Sequence, residues 1–483
     1  MNIKAVSTNV GKALLVSALF MFLSTIVSII DGRDSAFGPL AISCLITLIV
    51  GAFPFIFVKK APPLTLHDGF LTIVLSWFLS FIFGMLPYVL WGGEFTLVNA
   101  WFESVSGYTT TGATILTNVE ALPRSLLFWR SSTHFIGGLG VVVFLLLVMP
   151  DASPYRLKLT NMEMSSLSKE GYRYKSSKVV FVIAMVYLCL NVLTFLSLWI
   201  AGMPFFDAVN HAFSIVSTGG FSTKNNSIGQ FGSGLINAIS IIFMLLSAIH
   251  FGVLYSVFAT RSLKPLKNTV IGYYFGIIAI VSLLVAVCLK IEGFQQSWGR
   301  TLFDSFFNVV SYMTSTGLAV NDNSNWPVLP GILLIFTALH CGCSGSTTGG
   351  FKLDRLIIAL KSFGAEIKHR IHPYSISQVR MDGHILQDGT ISSVMMFLVL
   401  YLLISFVSII GVMMCGTEPL EAFSGVFASV GCVGPGLGSL GSLGNYSAQP
   451  VLSKLIFTLD MFMGRIEIFP LLVAVSMIFE RRK

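Results

Sequence analysis

The sequence predicts an all-α polytopic membrane protein: two leading helices, then four copies of a helix–short helix–helix unit around one axis. Three observations carry that expectation. Hydrophobic residues make up 54% of the 483 and charged residues only 11%, where soluble domains are about 25% charged. The mean hydropathy is +0.82, and many apolar runs reach the roughly 20 residues that a membrane span needs. A Ser/Thr/Gly cluster recurs four times at matching offsets, and an internal repeat of that kind governs architecture.

The elements follow in chain order. Residues 1–62 hold two leading transmembrane helices, about 12–30 and 38–58, the first of them read as a retained span rather than a cleaved signal. Repeat one occupies 63–160, with segments near 66–90, 98–111 and 125–149. Repeat two occupies 161–263, with segments near 178–201, 205–218 and 232–260. Repeat three occupies 264–380, with segments near 268–291, 302–315 and 328–360, the last interrupted at 341–350. Repeat four occupies 381–483, with segments near 388–414, 418–432 and 451–479. That arrangement predicts ten full spans and four short segments.

Charge orients the chain. The formal net charge is +8, and the basic residues gather in a few loops. They are Lys59 and Lys60; Arg156, Lys158, Lys169, Arg173, Lys175 and Lys178; Arg261, Lys264 and Lys267; Lys352, Arg355, Lys361, Lys368, Arg370 and Arg380; and Arg481, Arg482 and Lys483. All fall on one side if each repeat contributes two spans, and the positive-inside rule makes that side cytoplasmic, with both termini. The charge is therefore topological and implies no nucleic-acid partner; a docking surface for an acidic partner or lipid headgroups is an addition to that role. The seven cysteines lie mostly in apolar segments and suggest no disulfide framework.

The four clusters carry the function. They are Ser106–Gly112, Ser214–Gly220, Ser311–Gly317 and Ala428–Gly434. A small residue stands six positions before each glycine, and Asn99, Asp207, Asp304 and Glu421 stand thirteen before. Such a polar residue caps a short helix or sits in its first turn, where the helix dipole favours negative charge. Thirteen residues make about three and a half turns, which reaches only partway across a bilayer. The helix C-terminus then points its negative end at the membrane centre, and glycine permits the backbone geometry beyond it. Irregular backbone at that depth must line a watery cavity, and rings of carbonyls replace the hydration shell in potassium filters. Cys432-Val433-Gly434-Pro435-Gly436 matches the spacing of the T-V-G-Y-G potassium-channel run. The expected K⁺ ligands, mostly backbone carbonyls, are Thr110, Thr111, Gly112, Thr218, Gly219, Gly220, Ser315, Thr316, Gly317, Cys432, Val433 and Gly434. The fold is thus four helix–pore-helix–helix pseudo-repeats around a central ion pore.

The stretch 102–114, FESVSGYTTTGAT, resembles the first pore loop of the Trk/Ktr/HKT superfamily. So do 129–140 (WRSSTHFIGGLG), 217–223 (STGGFST) and 433–438 (VGPGLG). The resemblance covers nearly the whole chain, and the two extra leading helices favour the Trk branch, a bacterial potassium uptake membrane subunit. It implies K⁺ as the transported ion, a homodimer with one pore per protomer in the bacterial inner membrane, and a cytoplasmic nucleotide-binding regulatory subunit. Asn99 stands where the family usually has an acid.

Two further features bear on gating. The run 341–350, CGCSGSTTGG, is a poor helix former and must be shielded from lipid. It is read as a mobile plug using Gly342, Gly345, Thr347, Gly349 and Gly350; a static kink for close helix packing is the other reading. Cys341 and Cys343 have no companion ligands for a metal. Arg465, in the last helix, either repels cations below the filter or forms a structural ion pair with Asp460 or Glu467; the resemblance over 463–467 (MGRIE) favours the pore role. His134, His250 and His340 are its counterparts or simply packing residues. A carrier of another monovalent cation (Na⁺ or ammonium), coupled to a proton or sodium gradient, would show two inverted halves, not four same-sense units. No H-E-x-x-H or G-x-S-x-G is present, so no enzyme is expected.

Overall fold

The computed structural model describes residues 2–58, 65–147, 176–293, 297–374 and 378–480. Lys59, Lys60, Arg156, Lys158, Lys169, Arg173, Lys175, Arg481, Arg482 and Lys483 lie outside them, as does the side chain of Lys178. Two leading helices, Ile3–Ile30 and Phe37–Phe57, precede the repeats. Their backbones meet at two glycines: a methyl on Gly11 would stand 2.6 Å from the Gly51 carbonyl oxygen, and one on Gly51 3.2 Å from Leu14 Cβ. Small residues are what allow helices to pack this closely where no water drives them together.

Six helices among the described residues are long and apolar enough to cross a membrane: the two leading helices, His67–Trp91, Phe181–Ile200, Thr269–Ile291 and Asp388–Met414. The last four are the first helices of the four repeats. Their apolar side chains face outward: on Phe37–Phe57, Ile42, Leu45, Ile49 and Phe53 are more than half exposed, while Ser43 and Thr47 are fully buried. Polar groups inside and hydrocarbon outside suit a bilayer, where a buried hydroxyl can return its proton to the preceding turn, as Thr47 does to the Ser43 carbonyl at 2.7 Å.

The second helices of repeats two and four depart from the unbroken spans expected of them, whereas that of repeat three was expected to be interrupted at 341–350. That of repeat one, Arg124–Leu147, is continuous. In repeat two it splits into Gly234–Ser247 and Phe251–Thr260, bent by 99°. In repeat three it splits into Val328–His340 and Leu353–Ile371. In repeat four it splits into Val451–Arg465 and Phe469–Glu480, with Glu467 and Ile468 at φ of 61° and 58°. Only the third break has a Gly/Ser signature. The second is stabilised by His250, whose ring accepts the Gly252 amide at 2.9 Å and caps the outgoing helix.

Between first and second helices lie four short ones: Leu97–Tyr108, Phe205–Val216, Trp298–Met313 and Pro419–Val430. Behind repeat three, Arg380–Met381 and His384–Ile385 pair antiparallel, with Asp382 and Gly383 both left-handed in the turn, as a two-residue hairpin requires. Asp382 accepts the Thr269 amide at 2.9 Å, which ties the hairpin to the start of Thr269–Ile291, the first helix of repeat three.

The glycine contact of the leading helices is testable. Gly11→Val should lower stability by about 1–3 kcal/mol through overpacking, seen as a lower Tm of the solubilised protein. Gly38→Ala, whose added methyl meets nothing within 4 Å, should leave Tm unchanged.

Candidate functional site

Each short helix closes in the same way. Thr110, Thr218, Ser315 and Cys432 follow the last turn with φ of 53°, 57°, 52° and 51°. Left-handed backbone costs a residue other than glycine about 1–2 kcal/mol. The amides of these four residues bond the carbonyls of Gly107, Ile215, Tyr312 and Ser429 at 3.0–3.1 Å. The next amides, of Thr111, Gly219, Thr316 and Val433, reach back to Ser106, Ser214, Ser311 and Ala428 at 2.8–2.9 Å. The pair of bonds is the Schellman closure of a helix C-terminus. The small residue six positions before each glycine supplies the backbone carbonyl that accepts the second of these bonds.

One residue further on, Gly112, Gly220, Gly317 and Gly434 are left-handed again, at φ of 80°, 82°, 71° and 88°. These glycines have no room for a side chain. A methyl on Gly112 would strike the carbonyl oxygen of Gly219, one on Gly220 that of Thr316, one on Gly317 that of Val433, and one on Gly434 that of Thr111. The contacts run from repeat one to two, three, four and back to one, so the four loops close a ring. All four glycines line a single cavity with Thr114, Phe221, Pro435 and Tyr446. Among the described residues, no hydrogen bond reaches the carbonyl oxygens of Thr110, Thr111, Thr218, Gly219, Ser315, Thr316, Cys432 or Val433. Eight peptide oxygens are thus left uncommitted beside the glycines.

The polar residues thirteen before each glycine divide. Asn99, Asp207 and Glu421 occupy the first turns of their helices, but Asp304 does not, because the third short helix has 16 residues against 12 in the others. Asp304 lies one turn deeper and pairs with Arg300 at 3.1 Å. The capping side chains are Thr96 and Ser297, which accept the Asn99 and Arg300 amides. Asn99 instead accepts from Lys454 Nζ at 3.0 Å, Asp207 from Thr223 Oγ1 at 2.7 Å and Glu421 from Gln449 Nε2 at 2.7 Å.

The segment 341–350 lies against the ends of these helices. Thr347 Oγ1 donates to the carbonyls of Val216 (3.0 Å) and Ser247 (3.3 Å). The Gly349 amide donates to Ser315 Oγ at 3.0 Å, and a methyl on Gly349 would strike the Gly431 carbonyl. Gly345 gives its carbonyl to the Phe251 amide at 3.1 Å, and Gly342 accepts from the Leu353 amide at 3.0 Å. Gly350 is left-handed, at φ 66°. Arg465, buried, donates to the Thr347 carbonyl at 2.7 Å and the Gly137 carbonyl at 3.2 Å. Through these contacts the segment reaches all four repeats.

Arg465 pairs with neither of the acids the sequence offered. Glu467 binds Arg355 at 2.5 Å, and Asp460 accepts from Ser408 at 2.7 Å. Gly137 and Gly464 each press on the carbonyl of the last residue of their own short helix, Tyr108 and Val430. That register aligns Arg465 with Gly138, not with His134. His134 stacks on Phe221 with ring centroids 4.1 Å apart, His250 is a helix cap, and His340 packs edge-on to Phe336.

Three buried charged side chains, and the backbone geometry of four expected filter residues, were not singled out in the sequence. Lys352 is buried, with Nζ on the Thr348 carbonyl, so a second cation holds the segment beside Arg465. Thr110, Thr218, Ser315 and Cys432 were expected as filter residues, but their left-handed backbone was hidden because glycine is the usual sign of such geometry. Glu103 and Arg130 form a fully buried ion pair at 2.7 Å, one turn behind the first glycine loop. A charge inside an apolar span must find a partner, which was the signal for both.

Comparison with known proteins came out as follows. The family model for TrkH, described as a cation transport protein, matches residues 40–289 and 295–483. The chain is 31% identical to the Trk system potassium uptake protein TrkH of Salmonella typhimurium over all of both chains. It is 34% identical to the Trk system potassium uptake protein TrkG of Escherichia coli, over 88% of this chain and 87% of that one. The crystal structure of the potassium transporter TrkH from Vibrio parahaemolyticus superimposes with a TM-score of 0.88 at 28% identity, covering 98% of each chain.

Arg465→Gln removes one charge-assisted bond to the segment, at the Thr347 carbonyl, and one to the Gly137 carbonyl, each worth about 1.5–3 kcal/mol. Amide hydrogen exchange within 341–350 should accelerate about tenfold or more as local opening becomes easier; the Phe205–Val216 helix should be unaffected.

Proposed function

Since the chain belongs to the TrkH family of cation transport proteins, we propose that it takes up potassium through the ring formed by the four glycine loops. One observation carries this reading: the cyclic order in which each glycine abuts the carbonyl of the next repeat. Uncommitted oxygens on those loops suit a dehydrated monovalent cation, which needs its hydration shell replaced from several sides. The four short helices present their C-terminal ends to the same place, each with roughly half a negative charge, so a cation is favoured there. Relatives bearing 31–34% identity are named as potassium uptake proteins of the Trk system, which supports K⁺ as the ion. The loops differ in sequence, so discrimination against Na⁺ is expected to fall short of that of four identical T-V-G-Y-G copies.

Below the ring, the segment 341–350 acts as a plug. Arg465 and Lys352 hold it by the adjacent carbonyls of Thr347 and Thr348 and place two positive charges under the cation path. Opening requires those bonds to exchange for others, which makes this segment, not the ring, the moving part. The helix Leu353–Ile371 leads directly from it and presents Lys361, Lys368 and Arg370 outward. A cytoplasmic nucleotide-binding subunit pulling on that helix would reach the plug, and the protein works as a homodimer in the inner membrane with both termini cytoplasmic.

Purified protein in liposomes with defined K⁺ and Na⁺ gradients tests the reading. Wild type should pass K⁺ faster than Na⁺. Gly112→Ser places a side chain against the Gly219 carbonyl and should abolish most of that preference, by about tenfold or more; an unchanged K⁺/Na⁺ ratio refutes the filter role of Gly112. Deleting part of Gly345–Gly350 should raise K⁺ flux, whereas equal or lower flux counts against a plug.

A further inference from the structure

We infer that the buried pair Glu103–Arg130 is a selectivity-determining positioning pair, the one ionic joint in a collar of bonds that holds the glycine ring at its width. The inference rests on the potassium-pore reading above. Glu103, on the first short helix, accepts from Arg130 at 2.7 Å, from Thr114 Oγ1 at 3.0 Å and from the Ile115 amide at 3.1 Å. It therefore holds the chain that leaves Gly112. Arg130, from the second helix of repeat one, also reaches repeat two: it donates to the Ser222 carbonyl at 3.3 Å and lies over the Phe221 ring at 3.9 Å from its centroid. Phe221 directly follows Gly220.

The bonds that join the other loops beyond their glycines are, among the described residues, between neutral groups. Repeats two and three are joined by Gly229 N–H donating to the Ala319 carbonyl at 3.1 Å and Ala319 N–H donating to Ser227 Oγ at 3.2 Å. Repeats three and four are joined by Tyr312 Oη donating to the Gly436 carbonyl at 3.2 Å and by Asn323 with Ser442. Repeats four and one are joined by Tyr446 N–H donating to the Thr114 carbonyl at 2.8 Å, while Tyr446 Oη donates to the Gly434 carbonyl at 2.9 Å. One bonded path thus runs from Gly434 through Tyr446, Thr114, Glu103 and Arg130 to the loop of Gly220.

The repeats are unequal behind the ring. The residue nine positions before each glycine is Glu103, His211, Asn308 or Gly425. His211 meets Ser222 Oγ at 3.0 Å, as Glu103 meets Thr114, and Asn308 meets Asn321 at 3.1 Å. Only the first repeat places a full charge there, and only because Arg130 balances it. The pair is fully buried, so neither charge is dissipated by solvent. Loss of one partner leaves an uncompensated charge beside the cation path, of opposite sign in the two cases.

Reconstituted variants separate this role from mere scaffolding. Glu103→Gln leaves Arg130 unbalanced and should lower total cation flux; Arg130→Gln leaves Glu103 unbalanced and should raise it. Both should lower the K⁺/Na⁺ ratio about tenfold, and the double variant should return flux toward wild type while the ratio stays low. Arg130→Lys keeps the charge but loses the fork to Ser222, so flux should hold and the ratio fall. Where a neutral variant fails to purify as a monodisperse protein, Glu103→Asp and Arg130→Lys are read instead, with the same fall in ratio expected. Unchanged ratios in folded variants, or flux lowered equally by both single changes at constant ratio, would overturn the role of the pair. No K⁺ flux in wild type would overturn the potassium reading itself.

Discussion

A helix that stops inside a membrane must dispose of its last carbonyl oxygens without water, and the rest of this structure follows from how four helices do so. Each spends two of those oxygens on a Schellman closure, through Thr110 and Thr111 and their counterparts. The closure forces a left-handed residue at a position where the chain carries Thr, Ser or Cys, at a cost of about 1–2 kcal/mol each. Turning the chain that sharply leaves the following carbonyls outside any helix. Strain of this sort persists only where surrounding contacts over-determine it, and here the neighbouring repeat supplies them: each glycine is walled by the next loop's carbonyl. Ring closure and helix closure are therefore one constraint seen at two scales.

That constraint sorts the remaining helices. The first helices of the repeats and the two leading helices are long and apolar, with many large apolar side chains exposed. The second helices press on the ends of the short helices, as Gly137 does on Tyr108 and Gly464 on Val430. They carry the polar load, and three of the four break near that contact. A broken helix releases amides and carbonyls of its own, which must be satisfied by protein. In repeat two His250 does this; in repeat three the segment 341–350 does it by bonding to Val216, Ser247 and Ser315. The same unsatisfied backbone that permits a break also gives the segment its partners under the ring.

Charges obey the same economy of burial. Glu103 with Arg130 and Glu467 with Arg355 are matched, one pair behind the ring and one at the fourth break. Arg465 and Lys352 hydrogen-bond instead to carbonyls of the segment 341–350, and Arg465 also to that of Gly137. A cation held by neutral oxygens keeps its field, whereas one held by a carboxylate loses most of it.

Much was legible from the residues alone, because hydrophobic runs and glycine offsets are local quantities. The apolar character, the two leading helices, the four repeats and the glycines at 112, 220, 317 and 434 all follow from composition and spacing. Lipid selects for apolar length, and a tight turn selects for glycine, so both leave marks in one dimension. Other features leave none. That Gly112 abuts Gly219, that Arg465 ignores Asp460 and Glu467, that the third short helix begins a turn earlier than its counterparts, and that inner helices break at 248–250 and 466–468, which hold no glycine or proline, are consequences of which surfaces meet. Partner choice for a buried charge depends on distances across the bundle, and those exist only once all four repeats have closed around a common axis.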